Sequence, residues 1–134
     1  MTYMKTFFLL FFILTLSLVA KVEWCDSFDI YDDAKASEKL VMVMLSRKDC
    51  PGCAYMYGVV FEDKEVSKLL KEGFLSVKID VDEDFLLENL EYFATPTLYF
   101  LDKNEKILKR LNGGKHINEF IKILKELKKS KVEE

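Results

Sequence analysis

Residues 40–53 read LVMVMLSRKDCPGC. The first six form a short apolar run of residues that favour strands, and the polar residues 46–49 end that run at once. Such a run predicts a strand buried on both faces, as in the middle of a parallel sheet. A C-x-x-C motif from Cys50 to Cys53 follows directly, and helical spacing comes after it. The stretch therefore predicts a buried strand that leads through a short turn into a helix beginning at two cysteines.

This placement makes a cysteine reactive. The first sulfur lies at the N-terminus of a helix, where unpaired backbone N–H groups stabilise a thiolate and lower the pKa of the thiol. We predict Cys50 as the exposed nucleophile that attacks a substrate disulfide, and the more buried Cys53 as the thiol that resolves the mixed disulfide. Pro51 fits the first helical turn, which needs no N–H group from that residue.

Two other interpretations of the cysteine pair are a structural disulfide and half of a zinc site. Zinc normally takes four ligands, and only Cys25 and His116 remain, in unrelated segments without ligand spacing. We therefore expect no metal and no cofactor. The strand–helix context favours a catalytic pair over a structural one.

The remaining chain alternates between helical and strand patterns, which predicts a three-layer α/β domain with a central mixed sheet and helices on both faces. We expect helices over residues 32–39, 54–60, 63–71, 83–93 and 117–127, and strands over 40–45, 74–81, 98–101 and 107–111. The polar residues 102–106 predict the turn of an antiparallel hairpin. Residues 129–134 are expected to fray.

The N-terminal residues have the pattern of a secretory signal peptide, with Lys5 followed by an apolar run over residues 6–20. That run is shorter than the roughly twenty residues that a membrane-spanning helix needs, so we favour cleavage over an uncleaved membrane anchor. We expect a signal peptide over residues 1–20 and one domain over residues 21–134. Cys25 does not fit a lipid-acceptor site, because Glu23 and Trp24 precede it.

The net charge and the cysteine content bear on the partners of the protein and on its compartment. The formal net charge of −3 gives no reason to expect nucleic acid as a partner. Three cysteines in an exported chain indicate an oxidising compartment. The odd count leaves Cys25 without an obvious partner, and we favour a free thiol over a regulatory or intermolecular disulfide.

The order of motifs from about residue 32 to residue 127 resembles the thioredoxin superfamily. The C-x-x-C motif follows a strand, Thr95-Pro96-Thr97 precedes the third strand, and Gly113-Gly114 precedes the last helix. The resemblance implies a thioredoxin-like fold and thiol–disulfide exchange. It also implies that Pro96 follows a cis peptide bond and packs against the active-site sulfurs, so that Thr95 and Pro96 contact a bound substrate chain. The plain alternative is a proline that starts a strand.

Within the superfamily, the stretch from Asp49 to Val66 is similar to exported thioredoxin-like proteins related to SoxW and to the C-terminal domain of DsbD. That similarity implies a bacterial periplasm, protein disulfide substrates and electrons from a membrane carrier of the DsbD/CcdA type. We expect the protein to be a monomer. Reduction is therefore favoured. Oxidation and isomerisation remain alternatives, as does a redox-silent binding module that keeps a structural Cys50–Cys53 bridge.

Two features depart from thioredoxin. Pro-Gly stands between the cysteines where thioredoxin has Gly-Pro, and Met44 stands where thioredoxin keeps a buried aspartate. A buried carboxylate can take the proton of the resolving cysteine, so here Asp49, Lys48 or water would have to do so.

Three aromatic residues near the motif or the N-terminus stay unassigned. Tyr55, Tyr57 and Trp24 could border a substrate groove, but aromatic residues at helical spacing usually belong to a core. His116 is expected to be a solvated residue at the start of the last helix.

Overall fold

A single mixed sheet organises the protein. The computed structural model describes residues 21–132, and its four strands lie in the order β2-β1-β3-β4. Strand β1 pairs parallel with β2 and antiparallel with β3, and β3 pairs antiparallel with β4. The strands are β1 Leu40–Ser46, β2 Phe74–Asp80, β3 Thr97–Leu101 and β4 Ile107–Asn112. The thioredoxin-like α/β fold expected from the sequence is confirmed.

Helices cover both faces of the sheet. They are α1 Ile30–Ser37, α2 Pro51–Tyr55, which continues as a π-helix over Met56–Val60, then α3 Lys64–Gly73 and α4 Ile117–Val132. Asp63 caps α3, since its Oδ1 accepts the N–H groups of Glu65 at 2.9 Å and Val66 at 3.0 Å. Helix α4 continues to Val132, so the fraying expected from residue 129 is wrong for residues 129–132.

The central strand β1 divides the core in two. All seven of its residues are buried, and alternate side chains point to opposite faces. Met42 and Met44 pack in a cluster with α2, α3 and α4, whereas Val43 and Leu45 pack on the other face with α1. The continuous apolar run at residues 40–45 reflects this double burial.

The helix expected over residues 83–93 is absent, and that prediction was wrong. The segment consists of turns and irregular chain. Asp84 Oδ2 accepts the N–H of Asp80 at 2.8 Å, and Asp80 Oδ1 accepts the N–H of Asp82 at 3.0 Å. Side-chain bonds of this kind compete with helix formation. The apolar residues of the segment also do not share one buried face, because Phe85 is 96% exposed whereas Leu90 is buried in the core.

The chain before α1 runs along the free edge of β2. Trp24 forms an isolated parallel bridge to Ser76, and the N–H of Cys25 donates to the Ser76 carbonyl at 2.8 Å. None of the helices within residues 21–132 is long and apolar enough to span a membrane. The expected signal peptide, residues 1–20, lies outside the described residues.

Candidate functional site

The two cysteines form a disulfide at the start of α2. Cys50 is the N-cap residue and is half-buried, whereas Cys53 lies in the first turn and is 2% exposed. Their Cα atoms are 5.2 Å apart, within the usual range for a disulfide. The N–H of Cys53 points at Cys50 Sγ, at 3.1 Å. The helix N-terminus therefore directs a backbone donor at the more exposed sulfur.

A short charged loop delivers the chain to Cys50. Asp49 has a φ of 56°, in the left-handed region. Arg47 pairs with Asp82 at 3.2 Å, and Lys48 pairs with Glu83, so the loop is linked to the turn that follows β2. The hydrogen bond to Glu83 raises the pKa of Lys48. These pairs are exposed, so they orient the loop and contribute little stability.

Pro96 lies against the C-x-x-C motif, and the peptide bond between Thr95 and Pro96 is cis, as the resemblance implied. A Cβ atom added to Gly52 would lie 3.0 Å from Pro96 Cδ, so the glycine permits this close approach. The Pro96 carbonyl accepts the N–H of Gly113 at 2.8 Å. The fold thus brings together two segments that are more than forty residues apart in the sequence, with half-buried Thr95 beside buried Pro96.

A shallow surface depression lies at the cysteine pair, in which half-buried Cys50 is the more accessible partner. Its floor and walls come from the charged loop and the first turns of the helix. The lining residues are Arg47, Asp49, Cys50, Pro51, Cys53, Ala54 and Tyr57. Such a depression can admit an extended protein segment to the sulfurs.

Within residues 21–132, no acidic side chain is buried in the interior beneath the pair. Met44 is fully buried, and the buried polar side chains within residues 21–132 are all hydroxyls, namely Ser46, Ser67, Ser76 and Thr97. Of the groups considered as proton acceptors, Lys48 is engaged with Glu83 and Asp49 is exposed on the wall of the depression.

Tyr57 joins the site, although the sequence pattern left it unassigned. Its hydroxyl lies 3.1 Å from Ser46 Oγ, and burial raises the pKa of Tyr57. Trp24 and Phe61 pack edge-on against the tyrosine ring, with centroids 5.7 and 5.8 Å away. The spacing of Tyr57 four residues after Cys53 was the available signal, because side chains at i and i+4 share a helix face.

Tyr55 and His116 pair with each other away from the depression. The Tyr55 hydroxyl lies 3.2 Å from His116 Nδ1, and His116 is exposed. Cys25 is a half-exposed free thiol that packs against the α1 side of the sheet. In the part of the chain that the structure describes, no cluster of three His, Cys, Asp or Glu side chains could hold a metal ion.

Residues 29–128 match the family described as a thioredoxin-like domain. A comparison with curated proteins gave no match. Among solved structures, a thioredoxin from Thermus thermophilus is 28% identical with a TM-score of 0.67, covering 80% of this chain and 87% of that one. A candidate disulphide isomerase from Bacteroides thetaiotaomicron is 25% identical with a TM-score of 0.68, covering 78% and 91%. The C-terminal domain of DsbD from Neisseria meningitidis shares the fold at 17% identity, with a TM-score of 0.62 and coverage of 78% and 98%.

Proposed function

Because this chain belongs to the thioredoxin-like family, we propose that it reduces disulfides of exported proteins through Cys50 and Cys53. The family and the C-x-x-C motif identify a thiol–disulfide oxidoreductase. The observation that carries the assignment of these two residues is their disulfide at the N-terminus of α2, in a depression open to solvent. Cys50 is the more exposed partner, so it is the nucleophile, and Cys53 is the resolving thiol.

The proposed reaction begins with the reduced pair. The Cys50 thiolate attacks one sulfur of a substrate disulfide, and the other substrate sulfur leaves as a thiolate that takes up a proton. Cys53 then loses its proton, and its thiolate attacks Cys50 Sγ. This forms the Cys50–Cys53 disulfide and releases the second substrate thiol, so two electrons pass from the pair to the substrate. The Cys53 N–H, 3.1 Å from Cys50 Sγ, stabilises the thiolate at the start of the cycle.

Thr95 and Pro96 form the proposed substrate-binding segment. Pro96 packs against Gly52 between the two cysteines, and we infer that the backbone of half-buried Thr95, the preceding residue, borders the reacting sulfurs. An extended substrate segment that lies along Thr95 would present its disulfide to Cys50. Binding through the backbone suits an enzyme that accepts many protein sequences, because every substrate segment carries the same N–H and C=O groups.

We place the protein in the periplasm, as an exported monomer. The apolar run over residues 6–20 supports a signal peptide that is removed on export. The similarity to SoxW-like proteins and the shared fold of the DsbD C-terminal domain support electron supply from a membrane carrier of the DsbD/CcdA type. Reduction is the direction that such a supply favours.

Insulin reduction by dithiothreitol tests the proposed reaction. We expect the wild-type protein to accelerate it, and the Cys50→Ser variant to lose the acceleration. Cys25→Ser is the matched control and should retain the wild-type rate, because Cys25 packs on the other side of the sheet. Full activity of the Cys50→Ser variant would contradict the assignment. A wild-type protein without activity would favour the redox-silent binding module.

The Cys53→Ser variant tests the order of the two steps. Without a resolving thiol, Cys50 should form a mixed disulfide with the substrate that accumulates and is cleaved by added reductant. Non-reducing electrophoresis would show this complex. If the complex formed with Cys50→Ser instead, the roles of the two cysteines would be reversed.

A further inference from the structure

The residue directly before the nucleophile is an acid whose side chain has no partner in the described chain. Asp49 lines the depression together with Cys50 and is exposed. Within residues 21–132, its carboxylate forms no ion pair and accepts no hydrogen bond. Because both residues line the same depression, a substrate disulfide that reaches Cys50 also approaches the Asp49 carboxylate.

The two cations of the same loop are paired with other acids. Arg47 also lines the depression, but Asp82 binds its guanidinium group at 3.2 Å. Lys48 pairs with Glu83 in the same turn after β2. These two acids offset the positive charges of the loop, so the carboxylate of Asp49 is the charge that this wall presents to a ligand.

The turn after β2 adds further negative charge beside the depression. Residues 80–84 contain four carboxylates, and together with the loop at residues 47–49 they make five carboxylates against two cations. At the start of α4, the cation of Lys115 pairs with Glu119. A surface on which one sign of charge prevails raises the local concentration of ligands of the opposite sign. The charge of this region therefore favours the approach of positively charged groups.

The backbone at Asp49 decides which substitution can test its charge. Its φ of 56° lies in the left-handed region, which glycine adopts without strain. Aspartate and asparagine tolerate this conformation better than most other residues, because their short polar side chains can bond locally. Asparagine thus fits the same backbone and lacks the charge.

We propose that Asp49 directs the enzyme toward disulfides that carry positive charge next to their sulfurs, such as protein disulfides flanked by lysine or arginine. The inference rests on the proposed function and names the substrate class of the same site. The Cys50 thiolate bonds to one substrate sulfur, and the other sulfur leaves as a thiolate that takes up a proton. The Cys53 thiolate then displaces the second substrate thiol, so two electrons pass to the substrate. A cation beside the attacked sulfur lies near the Asp49 carboxylate during the attack, which stabilises that transition state relative to that of an anionic disulfide.

Small disulfides of different charge test this selectivity. The reduced Cys25→Ser protein would react at pH 7 with cystamine, which carries two ammonium groups, and with dithiodiglycolate, which carries two carboxylates. Neutral 2-hydroxyethyl disulfide is the third reagent. Acid quenching at successive times, followed by mass spectrometry, gives the rate constant for oxidation of the cysteine pair. The readout is the ratio of the cystamine rate constant to the dithiodiglycolate rate constant.

Adding Asp49→Asn should lower this ratio about fivefold, the change expected when the interaction of two unit charges about 4 Å apart in water is lost. A change in the thiolate fraction of Cys50 cancels in the ratio, because both reagents react with the same thiolate. Glu126→Gln is the matched control, since it removes one negative charge from an exposed position in the second half of α4. It should keep the wild-type ratio. Equal ratios for the proteins with and without Asp49→Asn would overturn the proposal.

Ionic strength gives a second measurement. Salt screens exposed charges, so added salt should lower the rate constant with cystamine and raise that with dithiodiglycolate, by smaller factors in Asp49→Asn than in the protein with Asp49. Equal salt responses of the two proteins would contradict the role of the carboxylate.

The neutral reagent separates this inference from the proposed function. If the wild-type protein reduces none of the three disulfides, the proposed function fails. If it reduces 2-hydroxyethyl disulfide but the charge preference is the same in Asp49→Asn, only the role of Asp49 is refuted.

Discussion

Replacing Met44 with aspartate would place a carboxyl group at the centre of the sheet. Met44 is fully buried on β1 and packs in the cluster beneath α2, α3 and α4. Shortening a buried methionine costs about 2 to 5 kcal/mol. Burying a neutral carboxyl group without a partner adds roughly 1 to 3 kcal/mol. The Met44→Asp variant should therefore lose a large fraction of its free energy of unfolding, which is roughly 5 to 15 kcal/mol for a typical domain.

The pH dependence of the loss identifies its cause. Burial raises the pKa of the introduced carboxyl group above its unfolded value of about 3.9. Stability therefore falls as pH rises from that value, by about 1.4 kcal/mol per pH unit until the folded pKa is reached. Between pH 5 and pH 7 the unfolding free energy of the Met44→Asp variant should fall by about 2.7 kcal/mol if the folded pKa lies well above 7.

Urea denaturation at the two pH values, followed by circular dichroism, measures this difference. Met44→Asn is the matched control, since it places an uncharged polar group of the same size there and should show a loss that is independent of pH. Met44→Leu should cost less than about 1.5 kcal/mol. If the stabilities of the aspartate and asparagine variants respond equally to pH, position 44 is not enclosed as the structure describes.

Three further predictions concern other parts of the fold. Asp63→Ala removes the cap of α3 and should lower the unfolding free energy by about 1 kcal/mol, measured by urea denaturation, with Asp63→Asn close to wild type. Tyr99→Phe removes a hydroxyl that donates to the Glu91 carbonyl at 2.6 Å and accepts its N–H at 3.2 Å. It should speed amide exchange at Glu91, and unchanged exchange would contradict the contact. Burial raises the pKa of Tyr57 and of Tyr31, so their contribution to stability is complete below about pH 10 and is lost as pH rises through the folded values. Denaturation at pH 9 to 11.5 should show a flatter decline for Tyr57→Phe than for wild type, and equal slopes would argue against burial of the hydroxyl.

Most of the fold could be predicted from local sequence patterns. The run at residues 40–45 and the C-x-x-C motif are contiguous, so the strand, the turn and the helix start could be predicted from neighbouring residues. The helix over residues 83–93 was predicted wrongly from the helical spacing of Phe85, Leu86, Leu87 and Leu90. Spacing shows only where apolar residues lie along the chain. It does not show that Asp80 and Asp84 bind the backbone in this turn, or that Phe85 faces solvent.

The part of the site that lies far from the C-x-x-C motif in the sequence could be predicted only through the resemblance to a known family. The contact between Pro96 and Gly52 joins segments that no local pattern relates, and the resemblance supplied it. Tyr55 and Tyr57 are both tyrosines. Because they are two positions apart, they face different sides of the helix. The sequence alone could not decide which of them meets Ser46, since that depends on the packing of Trp24 from the N-terminal segment.

The reduction potential of the Cys50–Cys53 pair decides whether the protein acts as a reductase. The purified protein would be equilibrated with dithiothreitol or glutathione buffers, and free thiols would be trapped and counted. We expect a two-electron transition near that of thioredoxin, about −270 mV, or below it. A value near that of the periplasmic oxidant DsbA, about −120 mV, would contradict reduction as the direction, and a pair that stays oxidised in every buffer would contradict catalysis.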